Sequence, residues 1–173
     1  MAPGPLVPPM QVVLVSDTHV KSRAAAIPGW VREAIGGADH VVHAGDFDSR
    51  PALAEVRELA TDLTAVAGNV DRGLDLPAVA TADLGGVRFV VTHGTGSPEG
   101  YEERIAGTVA DRAADGRPTV GVSGHTHEVL DARVDDYRLL NPGSATGAWP
   151  AQEASLMVAE VADGGLAVEV RRE

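Results

Sequence analysis

The chain has 173 residues, and 25 acidic against 14 basic side chains give it a formal net charge of -11 at pH 7. This length suits a single domain, and the charge disfavours a nucleic-acid polymer as a partner, because its phosphate backbone would be repelled. A small phosphate ester could still be attracted by metal ions bound at one place. Since the chain has no cysteine, disulfides, thiolate ligands and a cysteine nucleophile are excluded. Any metal site must therefore use oxygen and imidazole ligands.

The N-terminal residues and the lengths of the apolar runs predict a simple domain organisation. Residues 1–9 are rich in proline and lack the basic and apolar regions of a signal peptide, so they are predicted to form a disordered tail. No apolar run approaches the roughly 20 residues that a membrane span needs. We therefore expect one cytoplasmic domain over residues 10–173 with no membrane partner, and the sequence leaves a homo-oligomer open.

The first half of the chain alternates strands with helices. The apolar, β-branched run from Met10 to Ser16 predicts a strand buried on both faces. Ser49 is a candidate N-cap, and Pro51 suits the first turn of the helix that follows. Further elements are predicted as a helix over 28–36, a strand over 39–43, a helix over 52–60 and a strand over 63–67. This alternation favours parallel pairing of the strands.

Strands dominate the second half. A strand over 87–92, a helix over 100–114 and a strand over 119–122 are followed by four predicted strands, over 129–134, 137–140, 154–161 and 166–170. Turn residues such as Asp135-Asp136 separate these last strands, which is typical of antiparallel hairpins. The whole pattern predicts an α/β protein with mixed sheets covered by helices.

Metal-ligating side chains follow five of the predicted strands. The five turns contain Asp17-Thr-His19, Gly45-Asp46, Gly68-Asn69, His93-Gly94 and Gly124-His-Thr-His127. Ligands bind at this edge of open α/β sheets. The spacing of two within the first and last turns would point both side chains to one side if those segments were extended. Carboxylate, amide and imidazole ligands suit Mn, Zn, Fe or Ni better than Ca.

Each motif has a structural alternative when it is taken alone. Aspartate and asparagine beside glycine are common turn formers, and His93 could be a hydrogen-bonded core histidine. Two histidines after Gly124 have less structural use. The occurrence of all five motifs in order, each at a strand end, favours one metal site.

This order resembles the calcineurin-like metallophosphoesterase superfamily, and more closely its small YfcE-like phosphodiesterase branch. The resemblance runs from Met10 to about Trp149, and the segment Asn141-Pro-Gly-Ser-Ala-Thr-Gly147 strengthens it. It implies a four-layer α-β-β-α sandwich with two mixed sheets and a binuclear metal centre at one edge of the sheets.

The resemblance also implies roles for individual residues. Asp17, His19, Asp46 and His127 would bind the first of two divalent cations, and Asp46, Asn69, His93 and His125 the second, so that Asp46 bridges them. Mn is the preferred metal, with Zn, Fe or Ni as alternatives. The implied activity is a hydrolase that cleaves a small phosphate ester, most readily a diester, through in-line attack by a hydroxide between the metals. Asp46, Asn69 and His93 would be catalytic, and Asn69 would contact the substrate. The chemistry of Arg72 makes it a further candidate for substrate binding, because its planar guanidinium matches phosphate oxygens; the alternative is a solvated arginine in a turn.

One position departs from the wider superfamily. Many members have a histidine after Gly-Asn that is thought to assist the leaving group, whereas this chain has Val70. Valine has no proton to donate, so the substrate must carry a good leaving group or another acid must act. Asp71, Thr18, Thr126 or backbone carbonyls are the candidates to orient the imidazole ligands. His43 could face the site or play a structural role at its strand end.

A non-catalytic interaction scaffold is the alternative function. The same fold and the Asn141–Gly147 segment also resemble the retromer subunit, which serves as a scaffold. That subunit has asparagine where this chain has Asp46. The complete set of seven ligands therefore favours an enzyme.

Overall fold

The computed structural model describes residue 4 and residues 7–173. Residues 1–3, 5 and 6 of the predicted N-terminal tail lie outside the described residues, while residues 7–9 are exposed and have no regular secondary structure. The elements in chain order are β1 (Met10–Val15), α1 (Gly29–Gly37), β2 (His40–His43), α2 (Arg50–Leu59), β3 (Leu63–Ala65), β4 (Val79–Leu84), β5 (Val87–Thr92), α3 (Tyr101–Arg112), β6 (Thr119–Val122), β7 (Val129–Val134), β8 (Tyr137–Pro142), β9 (Ser155–Ala162) and β10 (Gly165–Arg172).

The strands form two five-stranded mixed sheets. The first has the order β10-β9-β1-β2-β3, and the second has the order β4-β5-β6-β8-β7. The alternating first half gives parallel pairs, β1 with β2 and β2 with β3. The hairpins β7-β8 and β9-β10 are antiparallel, as the turn residues between them predict. In the first sheet, β1 pairs with β9, a strand from the C-terminal part of the chain.

Three apolar clusters define four layers. In β1, Val13 and Val15 pack with residues of α1 and α2, whereas Val12 and Leu14 pack against the second sheet. On the far side, Ile105 of α3 packs with residues of β5 and β8. Both faces of β1 are therefore buried, which explains its continuous apolar run. The predicted α-β-β-α sandwich of two mixed sheets is confirmed.

One strand was missing from the sequence prediction. β4 pairs antiparallel with β5 at the edge of the second sheet. It contains Ala80, Ala82 and Asp83, residue types that are depleted in strands, and one of its faces is open to solvent. Gly85 and Gly86 both have positive φ in the two-residue turn that follows. A Gly-Gly pair before the 87–92 strand was the available sign of this hairpin.

The N-cap prediction for α2 is confirmed. The Ser49 hydroxyl accepts a hydrogen bond from the Ala52 N–H at 3.3 Å, and Pro51 lies in the first turn. None of the helices in the described part of the chain is long and apolar enough to cross a membrane.

Candidate metal centre

The side chains predicted as metal ligands meet where β1, β2, β3, β5 and β6 end. Because both sheets contribute, residues up to 108 positions apart are neighbours. The set that the structure brings together is Asp17, His19, Asp46, Asn69, His93, His125 and His127. The sandwich therefore gathers all seven predicted residues at one site.

One half of the centre contains Asp17, His19 and His127. Nε2 of His127 lies 3.3 Å from Oδ1 of Asp17 and 3.2 Å from Nε2 of His19. Donor atoms that share one ion at about 2.1 Å are about 3.0 to 3.4 Å apart. The third pair, Nε2 of His19 and Oδ1 of Asp17, is slightly wider at 3.7 Å. The three donor atoms thus lie near the spacing of ligands to one ion, and we call these residues the buried half.

The other half contains Asn69, His93 and His125. Oδ1 of Asn69 lies 3.1 Å from Nε2 of His93 and 3.1 Å from Nδ1 of His125. Asn69 is exposed and His125 is partly buried, so we call this set the open half. Asp46 stands between the halves, since its Oδ2 lies 3.4 Å from Nε2 of His19 and 3.2 Å from Nε2 of His93.

Hydrogen bonds outside the centre fix which ring nitrogen of each histidine carries the proton. Nδ1 of His93 contacts the Ala44 carbonyl at 2.7 Å, and Nδ1 of His127 contacts the Ala148 carbonyl at 2.9 Å. A carbonyl can only accept, so both Nδ1 atoms must donate, which leaves Nε2 without a proton in the neutral ring. The remaining two contacts are His19 Nδ1 with Asp48 Oδ1 at 2.8 Å and His125 Nε2 with the Gly96 carbonyl at 3.0 Å.

All four imidazoles consequently turn an unprotonated nitrogen inward when they are neutral. These lone pairs face one another and two carboxylates, an arrangement that repels itself unless protons or cations lie between the atoms. Imidazole ligands of metals characteristically donate their other N–H to a carbonyl or carboxylate in this way. The centre therefore has the donor set of a cation site.

An unpartnered oxygen supports the same interpretation. Oδ2 of Asp17 accepts hydrogen bonds from the Ser16 hydroxyl at 2.7 Å and from the His125 N–H at 3.0 Å. Oδ1, in contrast, is the buried side-chain polar atom that lacks a hydrogen-bond partner among the described residues. A buried carboxylate oxygen without a partner is costly, and a bound cation would satisfy it.

The electrostatics of the metal-free cluster follow from its charges. Burial would raise the pKa of Asp17, but His127 and His19 outweigh burial and hold that pKa well below its usual range. Burial would also raise the pKa of Asp46, but His93 outweighs burial and lowers that pKa. Burial would lower the pKa of His93, but Asp46 and Asp17 outweigh it and raise that pKa above the usual value. Burial would also lower the pKa of His19, but Asp17 and Asp48 outweigh it and raise that pKa. Without metal, protons on His19 and His93 therefore offset part of the carboxylate charge.

The backbone at the centre is left-handed at most ligands. Asp17, His19, Asp46, His125 and His127 have φ values of 52, 42, 64, 73 and 62°. The expectation that the first and last turns converge because they are extended is thus wrong. Their side chains converge through positive φ, which costs about 1–3 kcal/mol at a non-glycine residue and characteristically occurs at functional sites.

Two glycines permit the close approach of the turns. A Cβ on Gly68 would lie 2.0 Å from Oδ1 of Asp46, and a Cβ on Gly124 would lie 2.6 Å from Oδ2 of Asp17. Both distances are far below contact, so the carboxylates, together with the Ser16 hydroxyl at Gly124, occupy the space that a side chain would need. The glycines beside the ligands are therefore steric requirements of the cluster.

Asp71 holds two of the ligand turns together. Its Oδ2 accepts from the N–H groups of Asp46 at 2.7 Å and Gly68 at 2.9 Å, and its Oδ1 accepts from Phe47 and Asp48 at 2.9 and 3.0 Å. Asp71 was a candidate to orient an imidazole, but its contacts are with backbone. Backbone carbonyls, the other predicted candidates, orient three of the four imidazoles. The contact of Asp48 with His19 was not predicted from the sequence.

The Asn141–Gly147 segment fixes the first ligand turn. The Ser144 hydroxyl donates to the Asp17 carbonyl at 2.7 Å, and the Thr146 hydroxyl donates to the Thr18 carbonyl at 2.8 Å. Nδ2 of Asn141 donates to the Gly124 carbonyl at 3.0 Å, next to the last ligand turn. This motif therefore supports both ends of the buried half.

The remaining candidates lie around the centre. His43 is fully buried, stacks on Phe47 with ring centroids 3.6 Å apart, and accepts from the Gly45 N–H through Nδ1. Burial lowers its pKa to about 3, so His43 is a neutral structural histidine. Val70 and Arg72 follow Asn69 on the exposed side of the turn.

Comparison with known proteins places the chain in a family. The model of the calcineurin-like phosphoesterase superfamily domain matches residues 10–164. A protein named "Probable metallophosphoesterase" from Methanothermobacter thermautotrophicus is 34% identical over 139 residues, covering 79% of this chain and 78% of that protein. One with the same description from Methanocaldococcus jannaschii is 32% identical over 138 residues, covering 79% and 69%.

Among solved structures, a D62A mutant of Vps29 from Entamoeba histolytica has a TM-score of 0.77 and 26% identity, covering 95% of this chain and 99% of that one. A conserved protein from Streptococcus pneumoniae, described as a predicted phosphoesterase, has a TM-score of 0.71 at 22% identity and covers 96% and 91%, which shows the shared fold. The chain belongs to the calcineurin-like phosphoesterase superfamily.

Proposed function

We propose that this protein is a phosphodiesterase that depends on two divalent cations, with Mn²⁺ preferred over Zn, Fe or Ni. The observation that carries the proposal is the set of four imidazoles that turn unprotonated nitrogens into the centre, three of them toward Asp17 and Asp46 and that of His125 toward Asn69. We further propose that residues 10–173 act as one cytoplasmic domain, since β9 and β10 complete the sheet that β1 begins.

Two divalent cations, when bound, would generate a nucleophile from water at neutral pH and stabilise the charge on the phosphate oxygens. With two carboxylates among the ligands, formal charge counting leaves the centre with a surplus of about +2. This local charge would attract a phosphate ester although the whole chain carries -11. The acidic surface would at the same time disfavour long polyanions.

The chain's own groups have distinct tasks in this proposal. Asp46, Asn69 and His93 would act at the reacting atoms, because Nε2 of His93 lies 3.1 Å from Oδ1 of Asn69, which is exposed, and 3.2 Å from Oδ2 of Asp46. Neutral Asn69 adds an oxygen without adding negative charge that would repel the substrate. Val70, which is 39% exposed, offers no proton to the leaving group. The proposed substrates are therefore esters whose leaving group departs as a stable anion.

Space beside the open half suits a small substrate. A cavity of about 230 Å³ is lined by His93 and Gly94 on one side and by Arg104 and Ile105 of α3 on another. We propose that it receives the organic group of the ester. Arg72 lines a separate open cleft with Gly68, from which it could contact a phosphate oxygen through its planar guanidinium.

A protein-interaction scaffold is the second candidate. It is favoured by the fold shared with Vps29 at 26% identity. The carboxylate of Asp46 distinguishes the candidates, because a bridging ligand for two cations is what the enzyme needs and a scaffold does not.

The test is hydrolysis of bis(p-nitrophenyl) phosphate by the purified chain in the presence of Mn²⁺. We expect turnover in the wild type and its loss in His127→Ala. Binding of no divalent metal, together with no turnover in any of Mn²⁺, Zn²⁺, Fe²⁺ or Ni²⁺, would contradict the enzyme and favour the scaffold.

A further inference from the structure

Asp48 is a partly buried acidic side chain that is not among the predicted ligands. Its Oδ1 lies 2.8 Å from Nδ1 of His19, and its side chain is 10% exposed. In the other three imidazoles, the nitrogen that faces away from the centre contacts a neutral backbone carbonyl, that of Ala44, Gly96 or Ala148. The outward nitrogen of His19 is therefore distinguished from those of His93, His125 and His127 by an anionic partner.

Asp48 is itself held in place from two directions. Its N–H donates to Oδ1 of Asp71 at 3.0 Å, and the Ser22 hydroxyl donates to its Oδ2. Its φ of 80° is left-handed, a conformation that aspartate, asparagine and glycine tolerate. The carboxylate that faces His19 is thus fixed through both its backbone and its second oxygen.

The chemistry of this contact is specific. A carboxylate that accepts from Nδ1–H fixes the imidazole with Nε2 toward the metal and makes that nitrogen a stronger donor than a carbonyl partner does. Nε2 of His19 lies 3.2 Å from Nε2 of His127 and 3.4 Å from Oδ2 of Asp46. Asp48 would therefore mainly affect the binding of the ion in the buried half.

We propose that Asp48 is a positioning residue that orients His19 and gives the buried half a higher metal affinity than the open half. This inference rests on the proposed metal-dependent function. It predicts that the two ions bind with unequal affinity, and that removing Asp48 reduces this difference.

The experiment is titration of the metal-free full-length protein with Mn²⁺ by calorimetry, in wild type, Asp48→Asn and Asp48→Gly. Both replacements tolerate the left-handed backbone. Asparagine keeps an oxygen that can accept from His19, whereas glycine removes the acceptor. We expect Asp48→Gly to weaken the tighter ion by about 10- to 100-fold and the weaker ion by less than about threefold, with Asp48→Asn in between.

A matched control exists elsewhere in the fold. Nδ1 of His40 lies 3.4 Å from Oδ2 of Asp62, an aspartate–histidine contact outside the centre. Asp62→Asn should leave both affinities unchanged. As a second readout, the Nδ1–H proton signal of His19, assigned by its absence in His19→Gln, should be present in the wild type and in Asp48→Asn when both are loaded with diamagnetic Zn²⁺. The same signal should be lost to solvent exchange in Asp48→Gly.

The outcomes separate this inference from the function on which it rests. Two ions in the wild type, with affinities that Asp48→Gly changes by less than about twofold, would overturn the role of Asp48 and leave the metal-dependent function standing. A wild type that binds no metal would overturn both. If Asp48→Gly fails to fold by circular dichroism, Asp48→Asn decides, and an unchanged affinity for the tighter ion in that variant then overturns the inference.

Discussion

The two halves of the metal centre share Asp46 but differ in burial and charge. In the buried half, Asp17, His19 and His127 are at most 6% exposed, and Asp17 brings a second carboxylate. In the open half, His93 is also buried, but Asn69 is exposed and neutral, and His125 is partly buried. Charge–charge attraction is stronger where water is excluded, so we expect the buried half to hold its ion and the open half to face the substrate.

The shared ligand should show the largest effect, because its loss affects both halves. We predict that Asp46→Asn lowers the turnover of bis(p-nitrophenyl) phosphate by more than about 100-fold, since residues that only support a ligand already cost about 10- to 100-fold. Asparagine keeps the shape of the side chain but removes the charge between His19 and His93. Steady-state kinetics at saturating Mn²⁺ measures the loss, and activity within tenfold of the wild type would remove Asp46 from its bridging role.

Replacement of Asp71 tests how far its hydrogen bonds to the turns that carry Asp46 and Asn69 stabilise the fold. Its carboxylate accepts four backbone N–H groups, whereas asparagine would present an NH₂ group to two of them. At about 1–3 kcal/mol for each unsatisfied buried group, we predict that Asp71→Asn lowers the free energy of unfolding by about 3 kcal/mol. Urea unfolding of the metal-free chain measures this. Asp75→Asn, at an exposed site in the same loop, should change stability by less than about 0.5 kcal/mol.

His125 and His127 lie in the same turn, two positions apart, and allow the two halves to be compared directly. We predict that His127→Ala weakens the tighter ion by at least about tenfold more than His125→Ala does, because His127 lies in the buried half, 3.3 Å from Oδ1 of Asp17. Isothermal titration with Mn²⁺ measures both constants. Equal losses in the two variants would mean that the halves are equivalent and that burial does not rank them.

The smallest expected effect is the pH dependence of stability. The raised pKa of His93 stabilises the metal-free fold fully below the usual value of 6.5, and this contribution is lost as pH rises through the raised pKa. The lowered pKa of Asp46 stabilises the fold above the usual value of 3.8, and this contribution is lost as pH falls through the lowered pKa. His93 and Asp46 alone would thus favour the metal-free fold most between about pH 4 and 6.5. Neutral His43, whose pKa burial lowers to about 3, destabilises the fold as pH falls below 6.5. We therefore predict that the metal-free chain is most stable near the upper end of that range, at about pH 6.5.

Bound metal should make the protein more stable, and not less stable, as pH rises above 6.5. Each ion must displace protons from the imidazoles, so metal affinity should increase as pH rises through the raised pKa values of His19 and His93. Thermal unfolding from pH 4 to pH 9, with and without Mn²⁺, checks both profiles. A metal-induced rise in Tm that is the same at pH 5 and pH 8 would disagree with this linkage.

The fold was predictable to the extent that each element carried its own pattern. β1 could be predicted because Val12 to Val15 are buried on both faces and form an apolar run. β4 could not be predicted from propensity, because Ala80 and Asp83 are unusual in strands and only pairing with β5 makes the segment extended. A strand that is held by its partner leaves little signal in its own residues.

The candidate site was predictable for a similar reason. The proposed ligands follow strand ends beside glycines, so their order in the chain indicates their convergence. Asp48 could not be found in this way, because its contact with His19 joins turns that are 29 residues apart and no motif marks it. The carbonyls of Ala44 and Ala148 carry no sequence signal at all, since every residue has a carbonyl.

The central claim is that two cations share Asp46, and the number and magnetic coupling of bound Mn²⁺ ions test it most directly. The metal-free wild type is titrated with Mn²⁺, bound metal is counted by elemental analysis, and the loaded protein is measured by electron paramagnetic resonance. We predict two ions per chain, with the spectrum of an exchange-coupled pair that Asp46→Asn abolishes. One ion per chain, none, or two ions with the spectrum of isolated Mn²⁺ would contradict a centre bridged by Asp46.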